Sequence, residues 1–184
     1  MRYVIGLIVT LGLMAVLIVM LMSGGEDGGS PPRPKTLTDY AKTDSQVSMT
    51  IDGPVNADSL HDQVRVTVDR TNVTYEHIKG YQGDVVNTKL FANNDEAYDV
   101  FLHALLHAGY SLGDDNPALE DERGWCPTGN RYIFELIQDG KTLKRYWDTT
   151  CNNPKTYEGN TSLTITLFQT QVPGYDDLTE DIGL

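Results

Sequence analysis

Positive charge is scarce in this chain. Lysine and arginine total 14 against 26 aspartates and glutamates, for a formal net charge of −12. A field of that sign repels phosphate backbones, which argues against general nucleic-acid binding, and it gives no attraction to anionic lipid headgroups. Catalytic signatures are missing too. No G-x-S-x-G elbow, no glycine-rich phosphate cradle and no H-E-x-x-H run occurs, so the sequence supports neither nucleophilic catalysis nor a zinc protease. We assign no catalytic residue, no cofactor and no metal from sequence. Cysteine is rarer still, with two residues, Cys126 and Cys151. An even count predicts one disulfide between them in an oxidising compartment.

Long hydrophobic runs are also absent, except at the start. Tyr3 to Met22 contains no charged residue. At about 1.5 Å per residue it makes a helix of roughly 30 Å, the thickness of a bilayer's hydrocarbon core. Signal peptides have apolar cores of only about 7–15 residues and end in small residues. This run is longer, and Leu21-Met22-Ser23-Gly24-Gly25 at its end offers no A-x-A cleavage site, so it reads as an uncleaved anchor. Arg2 and the amino terminus lie before it, and Glu26 and Asp27 come first after it. The positive-inside tendency then predicts a cytoplasmic amino terminus and an external C-terminal domain, in a single-pass protein of the cell membrane. The next stretch, "SGGEDGGSPPRPK", is a tether, flexible at its glycines and stiffer at its prolines.

Alternation of apolar and polar residues predicts strands in "QVSMTID" and "DQVRVTVD", and more weakly in "NVTYEHI" and "DVVNTKLF". "NNDEAYDVFLHALLHAGY" predicts a helix over about 95–108, capped by Asn94 and closed by Gly109. Its expected inner face is Ala97, Phe101, Ala104, Leu105 and Ala108. Residues 111 to 130 read as a loop.

"RYIFELIQDGKTLKRYWD" predicts a hairpin, because Asp139-Gly140 suits a two-residue turn with positive φ. A regular ladder from that turn pairs Ile137 with Thr142, Leu136 with Leu143, Glu135 with Lys144, Phe134 with Arg145, Ile133 with Tyr146, Tyr132 with Trp147 and Arg131 with Asp148. It also brings Cys151 near Cys126. "SLTITLFQTQV" alternates and is expected to be the last strand, before an acidic tail with at most one helical turn.

Three groups are candidates for chemistry. His103 and His107 have the i, i+4 spacing of zinc ligands, and Asp99 extends the row. Ala104 stands where a zinc protease needs its glutamate, so the row is expected to be a solvated helix flank. Asp114, Asn116, Glu120 and Glu122 lack the spacing of a calcium loop and are expected to be a solvated acidic loop. Arg145 shares its expected hairpin face with Tyr132 and Trp147; an exposed face of that kind is a binding patch, and these three are the candidate binding residues. Asn72 and Asn160 begin N-x-S/T sequons.

The expected fold is α+β: an N-terminal transmembrane helix over residues 1–22, a tether over 23–37, and an extracytoplasmic domain over 38–184. In that domain an antiparallel sheet of hairpins packs one face on one helix, with one disulfide. The layout is similar to that of single-pass bacterial surface proteins, a resemblance that rests on no specific motif. The leading function is a membrane-anchored extracytoplasmic binding or interaction module, with the lipid bilayer as partner through residues 3–22 and an external protein or ligand as the other. The alternatives are a membrane-tethered metal-dependent hydrolase built on Asp99, His103 and His107, and a structural component of an envelope assembly.

Overall fold

A computed structural model describes Met14 and residues 33–184 of the chain. The predicted anchor, apart from Met14, and most of the tether lie outside the described residues. Among the described residues no helix is long and apolar enough to cross a membrane. The folded unit runs from Lys35 to Leu184.

Its centre is a six-stranded sheet with the order β4-β3-β2-β1-β5-β6. The strands are β1 (Ser45–Asp52), β2 (Asp62–Val68), β3 (Asn72–Lys79), β4 (Asp84–Ala92), β5 (Arg131–Gln138) and β6 (Lys141–Thr149). Every neighbouring pair is antiparallel, as the alternating patterns predict. Three helices accompany the sheet: α1 (Asp95–Ala108), α2 (Thr161–Gln169) and α3 (Tyr175–Thr179). The α+β architecture with one disulfide is therefore as expected, but the sheet carries more than one helix.

One sheet face is the core. Val47, Met49 and Ile51 of β1, and Val64, Val66 and Val68 of β2, pack with Phe101 and Leu105 of α1, Phe168 of α2 and Tyr175 of α3. Leu37 enters the same cluster from a short 3-10 turn. Side chains in such a core each contribute about 1.5–3 kcal/mol by leaving water. Tyr110, just after α1, stands between β1 and β5: its hydroxyl lies 2.7 Å from the carbonyl oxygens of both Ser48 and Glu135. Burial pushes that hydroxyl's pKa well above the ordinary value, so it stays a donor.

α1 begins and ends as its sequence dictates. The Asn94 side chain accepts from the Ala97 amide at 2.9 Å, and Gly109 adopts φ 79° to close the last turn. Its buried face differs from the expected one. Tyr98, Phe101, Leu102, Leu105 and Ala108 are buried, Ala97 is exposed and Ala104 is half-buried. Rotating the helix this way buries two large side chains in place of two alanines. It also lets the Tyr98 hydroxyl donate to the Ser45 carbonyl at 3.1 Å.

Residues 162–172 are the clearest correction. The expected strand is helix α2, with Asn160 at its N-cap accepting from the Leu163 amide at 3.0 Å. Threonine and isoleucine alternate there, but the cap offers the backbone a helical start. The helical turn then puts Thr164 and Phe168 on one buried side. Phe168 meets Phe101 edge-on at 5.2 Å between ring centroids, a contact worth about 0.5–1.5 kcal/mol beyond burial. The acidic tail forms a short helical turn, α3, as expected.

The β5–β6 hairpin is the second correction. Asp139 and Gly140 have φ of 51° and 73°, and Ile137 pairs with Thr142 as predicted. The register then shifts at Leu136/Ile137, so that Leu136 faces Lys144, Glu135 faces Arg145, Ile133 faces Trp147 and Tyr132 faces Asp148. Leu143 is the extra residue. A bulge of this kind turns every following side chain to the opposite sheet face. Arg131 therefore pairs with Thr149, and not with Asp148. Asp148 instead binds Lys155 at 3.1 Å and the Thr161 hydroxyl.

Candidate binding face

The bulge decides where the predicted site residues go. Arg145 and Trp147 come to the face away from the helices, alongside Ile133, Glu135, Ser48 and Thr50. Tyr132 pairs with Ile51 on the core side and packs there, half-buried. The structure thus brings Arg145 and Trp147 together and separates Tyr132 from them.

A lid covers this half of the outer face. It is the segment after α1 that the sequence marks as a loop. Trp147 is 0% exposed; its indole Nε1 donates to the Leu119 carbonyl at 2.7 Å, and its ring stacks on Trp125 at 6.5 Å. Arg145 Nη2 lies 2.6 Å from the Glu122 carboxylate, Nη1 donates to the Glu120 carbonyl at 3.1 Å, and Nε lies 3.6 Å from Glu135. Arg145 is a clamp for the lid, with its donors engaged on protein oxygens.

The disulfide holds the far end of the lid. Cys126 and Cys151 have Cα atoms 5.5 Å apart, joining the lid to the chain just beyond β6. Gly129 lies so close to both sulfurs and to the Thr150 hydroxyl that a side chain there has no room. In the loop-entropy account a bond with a sequence separation of 25 stabilises by about 3–4 kcal/mol.

The other half of the outer face is open. Ser48, Thr67 and Thr74 floor a groove of about 380 Å³, with Arg65, Glu76 and Glu135 around it. Arg65 Nη1 and Glu76 Oε2 are 3.7 Å apart, a partly exposed pair worth little by itself. The Ser48 hydroxyl is buried and has no hydrogen-bond partner. An unpaired buried hydroxyl costs about 1–3 kcal/mol.

A second polar cluster lies at the end of the sheet. Asp52, the last residue of β1, is 2.6 Å from Arg131 Nη2 and 2.8 Å from His61 Nε2. Arg131 also donates to the Gly53 carbonyl at 3.0 Å. His61 is fully buried, lies flat on the Tyr81 ring at 4.2 Å and has Nδ1 3.2 Å from the Pro54 carbonyl. Burial pushes the Asp52 carboxyl above the ordinary value, against the lowering by Arg131 and His61. On the core side, Asp62 binds His77 at 2.6 Å and Lys79 at 3.1 Å. Burial raises the Asp62 carboxyl too, but those two partners outweigh it and hold the carboxyl below the ordinary value. With His61 sealed from solvent, the cluster ties the 53–61 loop and the β3–β4 turn to the sheet. Sequence reasoning missed it. The available signal was a histidine flanked by two strand-end aspartates.

The remaining candidates stay apart from this face. Asp99 and His103 are about half-exposed on the flank of α1, 3.9 Å apart, and His107 is exposed. Among the described residues no group of three or more His, Cys, Asp or Glu side chains is placed to hold a metal ion. Asp114 accepts from the Asn116 amide and Asn116 from the Ala118 amide, both at 3.0 Å. Those two side chains shape the lid's turn, and Glu122 is taken by Arg145. Comparison with known proteins found no matching family model, no similar curated protein and no similar solved structure.

Proposed function

We propose that the chain is a membrane-anchored, extracytoplasmic binding module that presents the open half of its outer sheet face to a polar ligand or partner. The observation that carries the binding reading is the open, mostly polar groove lined by Ser48, Thr67, Thr74, Arg65, Glu76 and Glu135. Hydroxyls, one guanidinium and two carboxylates line it. Such a groove suits a ligand that both donates and accepts hydrogen bonds. The uncharged run Tyr3–Met22 supports the anchor. The Cys126–Cys151 bond supports an oxidising compartment.

Two measurements test the reading. In fractionated cells the chain is expected in the membrane pellet, with its folded unit cleaved by protease added from outside. Recovery from cytosol with both thiols free for alkylation overturns the anchor. For the site, a photo-cross-linking residue at Thr67 is expected to trap a partner that the same residue at exposed Glu158 does not. Equal trapping at both positions, or none at Thr67, removes the groove from the proposal.

A further inference from the structure

The two edges of the sheet are treated differently. At β6, the Trp147 carbonyl accepts from the amides of Thr156 and Tyr157 at 3.0 and 2.9 Å, and the Trp147 amide donates to the Thr156 hydroxyl at 2.9 Å. The following chain thus occupies that edge. At β4, none of the described hydrogen bonds joins the strand to any segment but β3. β4 is nine residues long, and Val85, Val86 and Leu90 on it are 49%, 53% and 65% exposed. An exposed edge with apolar side chains is a template for another strand.

We propose that β4 is a self-association edge, where two copies of this chain pair antiparallel and join their sheets. The occupant follows from the strand's own pattern. An antiparallel pair of identical strands has a two-fold axis normal to the sheet, so one residue faces its own copy. Centring on Lys89 sets two ammonium groups against each other, which is repulsive. Centring on Asn87 sets Val85 against Lys89. Centring on Thr88 sets Thr88 on Thr88, Val86 on Leu90 and Lys89 on Asn87, so Val86 and Leu90 cover each other. Val86 is the residue that the register shift leaves without a partner on β3. Threonine pairs and apolar cross-strand pairs each contribute about 0.2–1 kcal/mol.

Charge permits this contact at β4. The chain's −12 opposes association, but Asp84 and Lys89 make the edge itself neutral. The axis also keeps both helix-covered faces on the same side of the joined sheet. This proposal does not depend on the groove.

Thiol cross-linking of the full chain in mild detergent tests it, because both native cysteines are bonded to each other. Thr88→Cys is expected to form a disulfide dimer under mild oxidation. Val86→Cys and Leu90→Cys are expected to link at least about tenfold more when mixed than when either is alone. Adding Leu90→Asp to Thr88→Cys is expected to lower linking about tenfold without unfolding the monomer, since Leu90 is exposed. Added salt is expected to raise linking by screening the net charge. If Leu90→Cys alone links as fast as Thr88→Cys, the pairing is not the Thr88-centred one. If none of the three cysteine variants links, alone or mixed, β4 is no dimer edge. Either result overturns the proposal.

Discussion

The β5–β6 hairpin and the β3–β4 hairpin flank the same sheet, yet one is closed and the other open. The β6 side has a lid, an arginine clamp, a disulfide and an occupied edge. The β4 strand is exposed along most of its length, and its hairpin is held at the turn, where Tyr81 stacks on His61 and donates to the Asn56 carbonyl at 3.0 Å. Both hairpins carry a bulge. The difference lies in what the flanking chain supplies. The closed hairpin is flanked by the lid and by the 155–157 segment, while β4 runs straight into α1, which turns away to cover the core face.

The largest expected effect separates the two hairpins directly. Trp147→Ala empties a sealed site between sheet and lid and is expected to cost about 3–5 kcal/mol in urea unfolding. Leu90→Ala on the open strand is expected to stay within about 0.5 kcal/mol. Similar losses at both would end the distinction. Next comes the lid's covalent tie. Replacing both Cys126 and Cys151 by serine is expected to cost about 3–4 kcal/mol and to speed hydrogen exchange over residues 114–130 more than over β4.

The clamp is weaker. Arg145→Ala removes a partly exposed cation and is expected to cost about 1–3 kcal/mol. Arg145→Lys is expected to recover only part of that, because a lysine cannot hold Glu122 and the Glu120 carbonyl with one planar group. Equal stability of the lysine variant and the parent would show that charge alone holds the lid.

The smallest effect is in the pH dependence at the sheet's end, where Asp62 holds β3 and Asp52 holds β5. Asp62 has a folded-state pKa below the ordinary 3.8. Its contribution is complete above that value and is lost as pH falls through the folded pKa. Asp52 has a folded-state pKa above 3.8. Between the two values the folded state holds the proton more tightly, so this group's contribution falls as pH rises through that window. Asp62→Asn is therefore expected to flatten the acid limb of the thermal stability curve, and Asp52→Asn to steepen it. The same change of slope in both variants would contradict the assignment.

Much of the scaffold was legible in the residues. The alternation in β1 and β2, the Asn94 and Gly109 ends of α1, the Asp139-Gly140 turn and the Cys126–Cys151 pair all follow from local chemistry. The site was less legible. Leu143 gives no local sign that it is the extra residue of a bulge, yet it moves Arg145 and Trp147 to the outer face and leaves Tyr132 on the core side. The His61 cluster joins residues from strand ends and a loop, which only the folded chain brings together. Residues 161–169 carry a strand's alternation and a helix's cap at once, and their neighbours settle the choice.

The sequence by itself determined the turn, the caps, the two main amphipathic strands and the cysteine pairing, because each depends on neighbours along the chain or on a count. Only the tertiary structure decided the hairpin register, the helical state of the segment after Asn160, and which face is covered or open. Those outcomes depend on how large side chains such as Trp147, Phe168 and Tyr98 fill space between segments distant in sequence, and periodicity carries no information about that.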